Sequence, residues 1–247
     1  PLFPLSNLVM PGGLTPLRIF ETRYHDMVRD CMRNGTGFVI VLLASGRETD
    51  RDNRPFDVGT YSEIIDFEPL EHGYLGIICR GQQRVHIQAP RQTKAGLWVG
   101  DTELYGDEPA GAVPESYEHL ADLAMQLITE LGPPFDLDTP QPHNARWVSS
   151  RLAELLPIPV DVKQQLLELR DPIARLHQIA CFVQQMVRAA RPFCCSVQRG
   201  RAGRAIGWTK QAAWGKRARG SRNAGSCGLT WTGMGGNTRS GRRPPRA

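Results

Sequence analysis

Long apolar runs are missing from this 247-residue chain. No stretch reaches 18 apolar residues, and the longest clear run covers only residues 38–44. A helix needs about 20 consecutive apolar residues to cross a bilayer. We therefore predict no membrane span and no membrane partner. The hydrophobic content of 40% is enough for a core, so the sequence indicates a globular protein.

Signatures of nucleotide hydrolysis and of serine catalysis are also missing. A P-loop needs Gly-x-x-x-x-Gly-Lys followed by Ser or Thr, whereas Gly215-Lys216 is followed by Arg217. A nucleophile elbow reads Gly-x-Ser-x-Gly, and neither Ser45-Gly46 nor 226–228 (SCG) matches it. We predict that the chain is not an enzyme.

Metal-ligand spacings are absent as well. None of the six histidines pairs with another His or Cys at such a spacing, and Cys194 and Cys195 are adjacent. We predict no metal and no cofactor. Glu63, Asp66 and Glu68 could line a cleft, but alternation on a half-exposed strand explains them more simply.

Acidic residues are missing from the last 57 positions. Residues 191–247 hold eleven Arg, two Lys and no Asp or Glu, which gives +13. The first 190 residues hold the other 17 bases and all 25 acids, which gives −8. Few aliphatic residues accompany the eleven glycines of the tail, so we expect disorder there. Two interpretations stay open: a nucleic-acid-binding arm, or a reading frame translated out of phase or past its stop.

The cysteines do not form a disulfide framework. Six are present, and Cys31 and Cys181 fall on apolar faces of predicted helices, where a free thiol behaves as a small hydrophobe. This usage favours a reducing compartment, and we predict a cytoplasmic location.

The first hundred residues predict short strands separated by Gly, Pro, Asn and Asp, with one helix around Tyr24 to Met32 that Asn34-Gly35 ends. His72-Gly73 is a predicted hairpin turn. Residues 45–54 are polar and unpatterned, which indicates a loop. The predicted strands are 2–5, 14–18, 37–43, 58–67, 74–80, 84–88 and 98–105.

After residue 106 the apolar pattern changes to a period of 3.6 residues. Four helices are predicted: one at 120–131, one from Asn144, one capped by Asp161, and one capped by Asp171 with Val187 on its apolar side. We therefore predict an α+β protein with a β-rich domain at 1–106, a helical domain at 107–190 and the basic tail at 191–247.

Three sets of residues resemble the N-terminal, substrate-binding domain of Lon-type ATP-dependent proteases. The first comprises 1–5 (PLFPL), 9–13 (VMPGG) and 17–24 (LRIFETRY). The second is 58–64 (VGTYSEI) with 76–85 (GIICRGQQRV), and the third is 156–168 (LPIPVDVKQQLLE). The resemblance covers about residues 1–190 in order.

This resemblance implies a PUA-like β-barrel or pseudo-barrel with one helix, followed by a helical bundle. It also implies a non-catalytic module that binds unfolded or tagged polypeptides. We expect a role as an adaptor in protein quality control, with a protease or chaperone as a further partner. We expect neither the ATPase domain nor the peptidase domain of the family after these residues. A name such as "protease" would then come from the family and not from an activity of this chain.

The motif residues are interpreted first as structural. Pro11 and Gly12 permit a tight turn with positive φ, and Gly59 and Gly81 suit bulges or strand ends in a curved sheet. A second set could lock the first helix to the barrel through an ion pair or hydrogen bond. That set is Glu21, Arg23 and Tyr24.

Candidate binding residues are the aromatic side chains Tyr74, Trp98 and Tyr105, together with free sheet edges, although core packing is the simpler interpretation of each aromatic. Two rival functions stay open. One is RNA binding, which PUA-like domains perform elsewhere but which the −8 body opposes, so we expect nucleic acid to bind only through the tail. The other is a peptidase-associated hydrolase with an unrecognised site.

Overall fold

Strands fill the first part of the chain and helices the second. The computed structural model describes residues 1–48, 50, 53–106, 108, 109 and 111–190, so the predictions made for 191–247 lie outside the described residues. The strands are β1 (Leu2–Leu5), β2 (Leu14–Ile19), β3 (Phe38–Ser45), β4 (Arg54–Pro69), β5 (Leu75–Gln92) and β6 (Trp98–Leu104). The helices are α1 (Thr22–Asn34), α2 (Glu118–Leu131), α3 (Ala145–Leu155), α4 (Val160–Glu168) and α5 (Pro172–Ala190), with short 3₁₀ turns at Glu71–Gly73 and Glu115–Tyr117.

The strands form one mixed sheet in the order β2-β5-β4-β3-β1-β6. The pairing of β1 with β3 is parallel and the other pairings are antiparallel. A further pairing of β5 with β6 closes β5, β4, β3, β1 and β6 into a ring, and β2 lies outside it along the first half of β5. Within the described part of the chain, none of the helices is long and apolar enough to cross a membrane.

Two predicted strands are one. The sequence predicts a break between 74–80 and 84–88, but β5 runs continuously from Leu75 to Gln92. Gly81 pairs with Ser62 and Gln83 pairs with Tyr61, so Gln82 is the extra residue of a bulge. Of the two roles expected for Gly81, a bulge or a strand end, the structure shows the first: Gly81 adjoins the bulge, and β5 continues past it.

Three predictions about the helices are also wrong in detail. Helix α4 starts at Val160 with Pro159 at its N-cap, so Asp161 lies in the first turn and does not cap it. Val187 and Cys181, both placed on apolar faces, are exposed on α5. The cap at Asp171 is confirmed, since its Oδ1 accepts a hydrogen bond of 2.9 Å from the Ile173 N–H.

The turn between β1 and β2 is packed against α3. Gly12 has φ of +75°, and its N–H donates to the Gly81 carbonyl at 2.8 Å. A Cβ atom on Gly13 would lie 2.0 Å from Oε1 of Glu154, which itself accepts a 2.5 Å hydrogen bond from the Met10 N–H. Only a glycine leaves room for this carboxylate, so the turn and α3 meet through a buried polar contact.

A second buried polar contact joins β5 to the helices. The Glu108 carboxylate accepts hydrogen bonds from Arg175 of α5 at 2.7 and 3.2 Å and forms an ion pair with Arg84 of β5. Arg84 also donates to the Leu167 carbonyl of α4 at 2.8 Å. The side chains of these three charged residues are at most 4% exposed. One carboxylate therefore holds two guanidinium groups from opposite parts of the fold.

Substituting Glu108→Gln should lower the free energy of unfolding by about 3 kcal/mol or more, because two buried guanidinium groups would lose their shared counter-charge. Urea unfolding followed by circular dichroism measures the change. Asp30→Asn is the matched control: Asp30 pairs with Arg29 at an exposed site, where an ion pair contributes about 1 kcal/mol at most. A loss below about 1 kcal/mol for Glu108→Gln would contradict the structural role given to this carboxylate.

Stability should also depend on the ionisation of Glu154. Burial raises the pKa of its carboxyl above the ordinary value of 4.5, while Arg151, the Met10 N–H and Lys163 act against this shift. A group that holds its proton more tightly when folded contributes stability below its unfolded pKa and loses it as pH rises through its folded pKa. The unfolding free energy of the wild type minus that of Glu154→Gln should therefore fall as pH rises from 4.5 towards neutrality.

Urea titrations at a series of pH values test this expectation. Glu130→Gln on α2 is the control, because Glu130 is exposed. If the difference in unfolding free energy between the wild type and Glu154→Gln stays constant or grows with pH, ionisation of Glu154 does not lower the stability.

Candidate functional site

One edge of β4 has no neighbouring strand. Strand β3 pairs with β4 only as far as the Phe38–Ser62 pair, whereas β4 continues to Pro69 with β5 on its other side. From Glu63 to Pro69, no strand in the described residues pairs with this edge. An unpaired edge presents backbone N–H and C=O groups that can pair with another chain.

The end of α1 forms a cleft with this edge. The cleft has a volume of about 390 Å³, and we call it the α1–β4 cleft. Helix α1 contributes its last turn because Gly35, at φ +62°, ends the helix in the left-handed conformation before the chain enters β3. The lining residues are Cys31, Met32, Gly35, Thr36, Glu63, Ile64, Ile65, Asp66 and Phe67.

Three apolar side chains of the cleft are exposed to solvent. Met32 is 40% exposed, Ile65 39% and Phe67 54%. Met32 lies beside the apolar face of α1, which buries Cys31 against the sheet. Ile65 is the extra residue of a bulge, since Ile64 pairs with Cys79 and Asp66 pairs with Ile78. The bulge changes the alternation of β4, so that Ile65 and Phe67 are exposed while Ile64 packs against the core around α1.

The charged groups that line the cleft are acidic. Glu63 accepts a 2.9 Å hydrogen bond from Gln82 Nε2, and Asp66 Oδ1 accepts one of 2.9 Å from the Phe67 N–H. These two residues and Glu68 were interpreted from the sequence as ordinary strand alternation. The structure places Glu63 and Asp66 in the lining of the cleft.

The cleft contains a thiol, the strongest nucleophile type among its lining groups. Its one thiol belongs to Cys31, which is buried and donates to the Gly37 carbonyl at 3.4 Å. Burial raises the pKa of the Cys31 thiol, and the thiol is the unreactive form. In the part of the chain that the structure describes, no three His, Cys, Asp or Glu side chains are grouped so as to hold a metal ion.

The three aromatic candidates are not brought together. Trp98 is half-buried against the core inside the ring, and its Nε1 donates to Asn53 Oδ1 at 2.8 Å. Tyr105 packs against the core of the helices, with the Arg170 guanidinium 4.4 Å from its ring centre.

Tyr74 lies at the tip of the β4–β5 hairpin. Its ring is 6.3 Å from that of Phe20 and 4.6 Å from the Arg18 guanidinium. Phe20 is 55% exposed. Leu75, the residue after Tyr74, pairs with Ile19 of β2 on one side and with Pro69 of β4 on the other. Tyr74 and Phe20 therefore lie at the end of the sheet where the free edge of β4 finishes, but none of the three candidates lines the cleft.

The motif residues at the start of α1 hold the helix in place. Arg23 forms a 2.8 Å ion pair with Glu21 and donates to the Gly96 carbonyl at 2.6 Å. Tyr24 is buried, with its ring 4.3 Å from that of Phe3. The contacts of Arg23 and Tyr24 position α1 and therefore one wall of the cleft. Gly59 of β4 lies beside β3, where a Cβ atom would be 2.7 Å from the Ile40 carbonyl oxygen.

Sequence reasoning missed Met32, Ile65 and Phe67 as surface residues. One signal was available: two adjacent apolar residues, Ile64 and Ile65, interrupt the alternation of a strand that carries acids on both sides. That pattern is typical of a bulge. No pattern in the sequence indicated that Met32 is exposed, because its exposure depends on the pairing of β3 with β4 ending at Ser62.

Comparison with known proteins agrees with the fold. A sequence model of the ATP-dependent protease La (LON) substrate-binding domain matches residues 1–185. A LON peptidase N-terminal domain and RING finger protein of Schizosaccharomyces pombe is 27% identical over 221 residues, covering 75% of this chain and 45% of the relative. The Lon protease of Phenylobacterium zucineum is 22% identical over 198 residues, covering 76% of this chain and 24% of the relative. The chain spans less than half the length of these relatives.

Two solved structures of Lon N-terminal domains are similar to this chain. The crystal structure of a Lon N-terminal domain protein from Xanthomonas campestris has a TM-score of 0.61 and 32% sequence identity, covering 73% of this chain and 96% of that one. The N-terminal domain of a Mycobacterium avium complex Lon protease has a TM-score of 0.51 at 15% identity, which shows the fold alone. The resemblance seen in the sequence motifs is confirmed, and the chain belongs to the LON substrate-binding domain family.

Proposed function

We propose that this chain binds unfolded or tagged polypeptide segments without cleaving them, and that the α1–β4 cleft is the binding surface. The observation that carries the proposal is the exposure of Met32, Ile65 and Phe67 beside the unpaired edge of β4. Unfolded polypeptides offer apolar side chains, which can cover the exposed apolar residues of the cleft, and free backbone groups, which can pair with the edge of β4. The family description, a substrate-binding domain, supports a binding role.

The architecture fits this role. We interpret the ring of strands at 1–106 as a PUA-like pseudo-barrel and the helices at 107–190 as a bundle packed against it. The pseudo-barrel carries the cleft, and the buried Glu108 and Glu154 contacts hold the helices to it. The chain then acts in the cytoplasm as an adaptor in protein quality control, handing its client to a protease or a chaperone.

The apolar contact area sets the expected strength of binding. Covering apolar surface contributes about 25 cal/mol per Å², so a half-exposed Phe that becomes buried contributes on the order of 1 kcal/mol. Three such side chains and a row of backbone hydrogen bonds give weak to moderate affinity, as suits a module that must also release its clients.

Phe67→Ser should weaken polypeptide binding about tenfold, because it removes the most exposed apolar side chain of the cleft. The measurement is fluorescence anisotropy of labelled, reduced and carbamidomethylated α-lactalbumin titrated with the full chain at low and high salt. Leu104→Ser on β6 is the matched control: Leu104 is 59% exposed but lies outside the cleft, and its substitution should change binding by about twofold or less.

Labelled single-stranded RNA is titrated in parallel. Binding of the unfolded polypeptide at both salt concentrations, reduced by Phe67→Ser and not by Leu104→Ser, supports the proposal. Binding of RNA without binding of polypeptide would overturn it, as would polypeptide binding that vanishes at high salt and does not depend on Phe67.

A further inference from the structure

We propose that the α1–β4 cleft prefers an extended segment in which apolar residues alternate with Lys or Arg, and that this segment adds as a strand to the free edge of β4. The inference rests on the proposed polypeptide binding and adds to it the conformation and the charge of the preferred client.

The free edge has the dimensions of a strand-addition site. Residues 63–69 of β4 are extended over seven positions, roughly 23 Å at about 3.3 Å per residue. Strand β3 would have covered this edge, but the chain leaves α1 at Asn34 and begins β3 at Phe38, opposite Ser62. The free edge of β4 therefore starts just beyond Ser62, the residue opposite the first residue of β3. A strand added there would pair with β4 along the residues that β3 does not reach.

A local carboxylate already caps part of this edge. The Phe67 N–H donates to Asp66 Oδ1 of its own chain at 2.9 Å. A strand amide without a neighbouring strand needs an acceptor, and the adjacent side chain supplies it. A basic residue on an incoming segment would form an ion pair with Asp66 and draw its carboxylate away. The Phe67 N–H would then be free to donate to a carbonyl of that segment.

The charge around the edge is negative and unpaired. No Arg or Lys occurs between Arg54 and Arg80, while Glu63, Asp66, Glu68 and Glu71 lie along the free edge and the turn after it. None of these four carboxylates forms an ion pair with a residue in the described part of the chain. Arg33, in the last turn of α1, is the base that the helix contributes at that end. Two further bases lie near this part of the sheet: Arg80, opposite Glu63 in the register, pairs with Asp138, and the Arg18 guanidinium lies over the Tyr74 ring. Since neither neutralises the four acids by an ion pair, the edge favours a basic occupant.

A client in which apolar and basic residues alternate would match both the exposed apolar side chains of the cleft and the negative charge of its edge. Successive side chains of a strand point to opposite sides, so one set of a bound segment can be apolar and the other basic. The apolar set would contact Met32, Ile65 and Phe67 in the cleft, and the long basic side chains would reach the carboxylates along the edge. An acidic segment of the same hydrophobicity would meet only like charges.

The test uses the full chain and three labelled ten-residue peptides measured by fluorescence anisotropy. The first alternates Val or Phe with Lys, the second carries Glu in place of Lys, and the third is the first peptide with four consecutive central amides N-methylated. The Lys peptide should bind at least about tenfold more tightly than either of the others. Methylation removes the backbone donors that strand addition needs, without changing the side chains.

A charge-reversed variant tests the location. In Glu63→Lys/Asp66→Lys, the preference should reverse towards the Glu peptide. The matched control is Asp101→Lys/Glu103→Lys, which introduces the same charge change at two exposed acids of β6, likewise on one strand, and should leave the preference as it is. Urea unfolding midpoints of both variants show whether each is folded.

The outcomes separate this inference from the function on which it rests. Preference for the Lys peptide that needs free amides and reverses only in the cleft variant supports both. If unfolded α-lactalbumin binds in a Phe67-dependent manner but the three peptides bind equally, the basic strand-addition inference is wrong and polypeptide binding stands. If neither the protein nor any peptide binds, both proposals fail.

Discussion

The fold depends on one buried carboxylate. Glu108 follows the last strand and lies between Arg84 of β5 and Arg175 of α5, and these guanidinium groups also donate to the carbonyls of Leu166 and Leu167 at the end of α4. Buried charges are tolerated when they are paired and fully hydrogen-bonded, and this arrangement meets both conditions. The strands and helices are therefore joined by buried ion pairs and hydrogen bonds in addition to apolar contact.

The free edge of β4 takes no part in these contacts between helices and strands. The helices and the ring of strands are held at β5 and at the turn around Gly13, whereas the free edge of β4 lies beyond the last pair with β3. Natural edges are usually blocked by a bulge, by charge or by proline. All three occur here, as the bulge at Ile65, the carboxylate of Asp66 and Pro69 at the end of β4. They limit uncontrolled pairing while leaving apolar surface beside the edge, which is the combination expected of a surface that binds selected segments.

Local patterns in the sequence predict the elements well and their connections less well. The periodic apolar residues of α1 and α2, the start of α3 near Asn144 and the stop at Gly35 are encoded within a few positions, because helix ends and amphipathicity are local properties. The single strand β5 was divided at Gly81, since a bulge and a strand end have the same local signal. The cleft was not foreseen, because it depends on β3 pairing with β4 only as far as Ser62, a tertiary contact that no local pattern encodes.

The sequence by itself determined the order of strands and helices, the family through the motifs of the first 24 residues, and the opposite charges of the body and the tail. Only the tertiary structure decided which acids are structural and which line the cleft. Glu108 and Glu154 are buried beside arginines, whereas Glu63 and Asp66 line a cleft and form no ion pair within the described residues. The physical reason is that a charge acquires its role from the groups that surround it in space, and those groups come from segments that the sequence places up to 144 positions away.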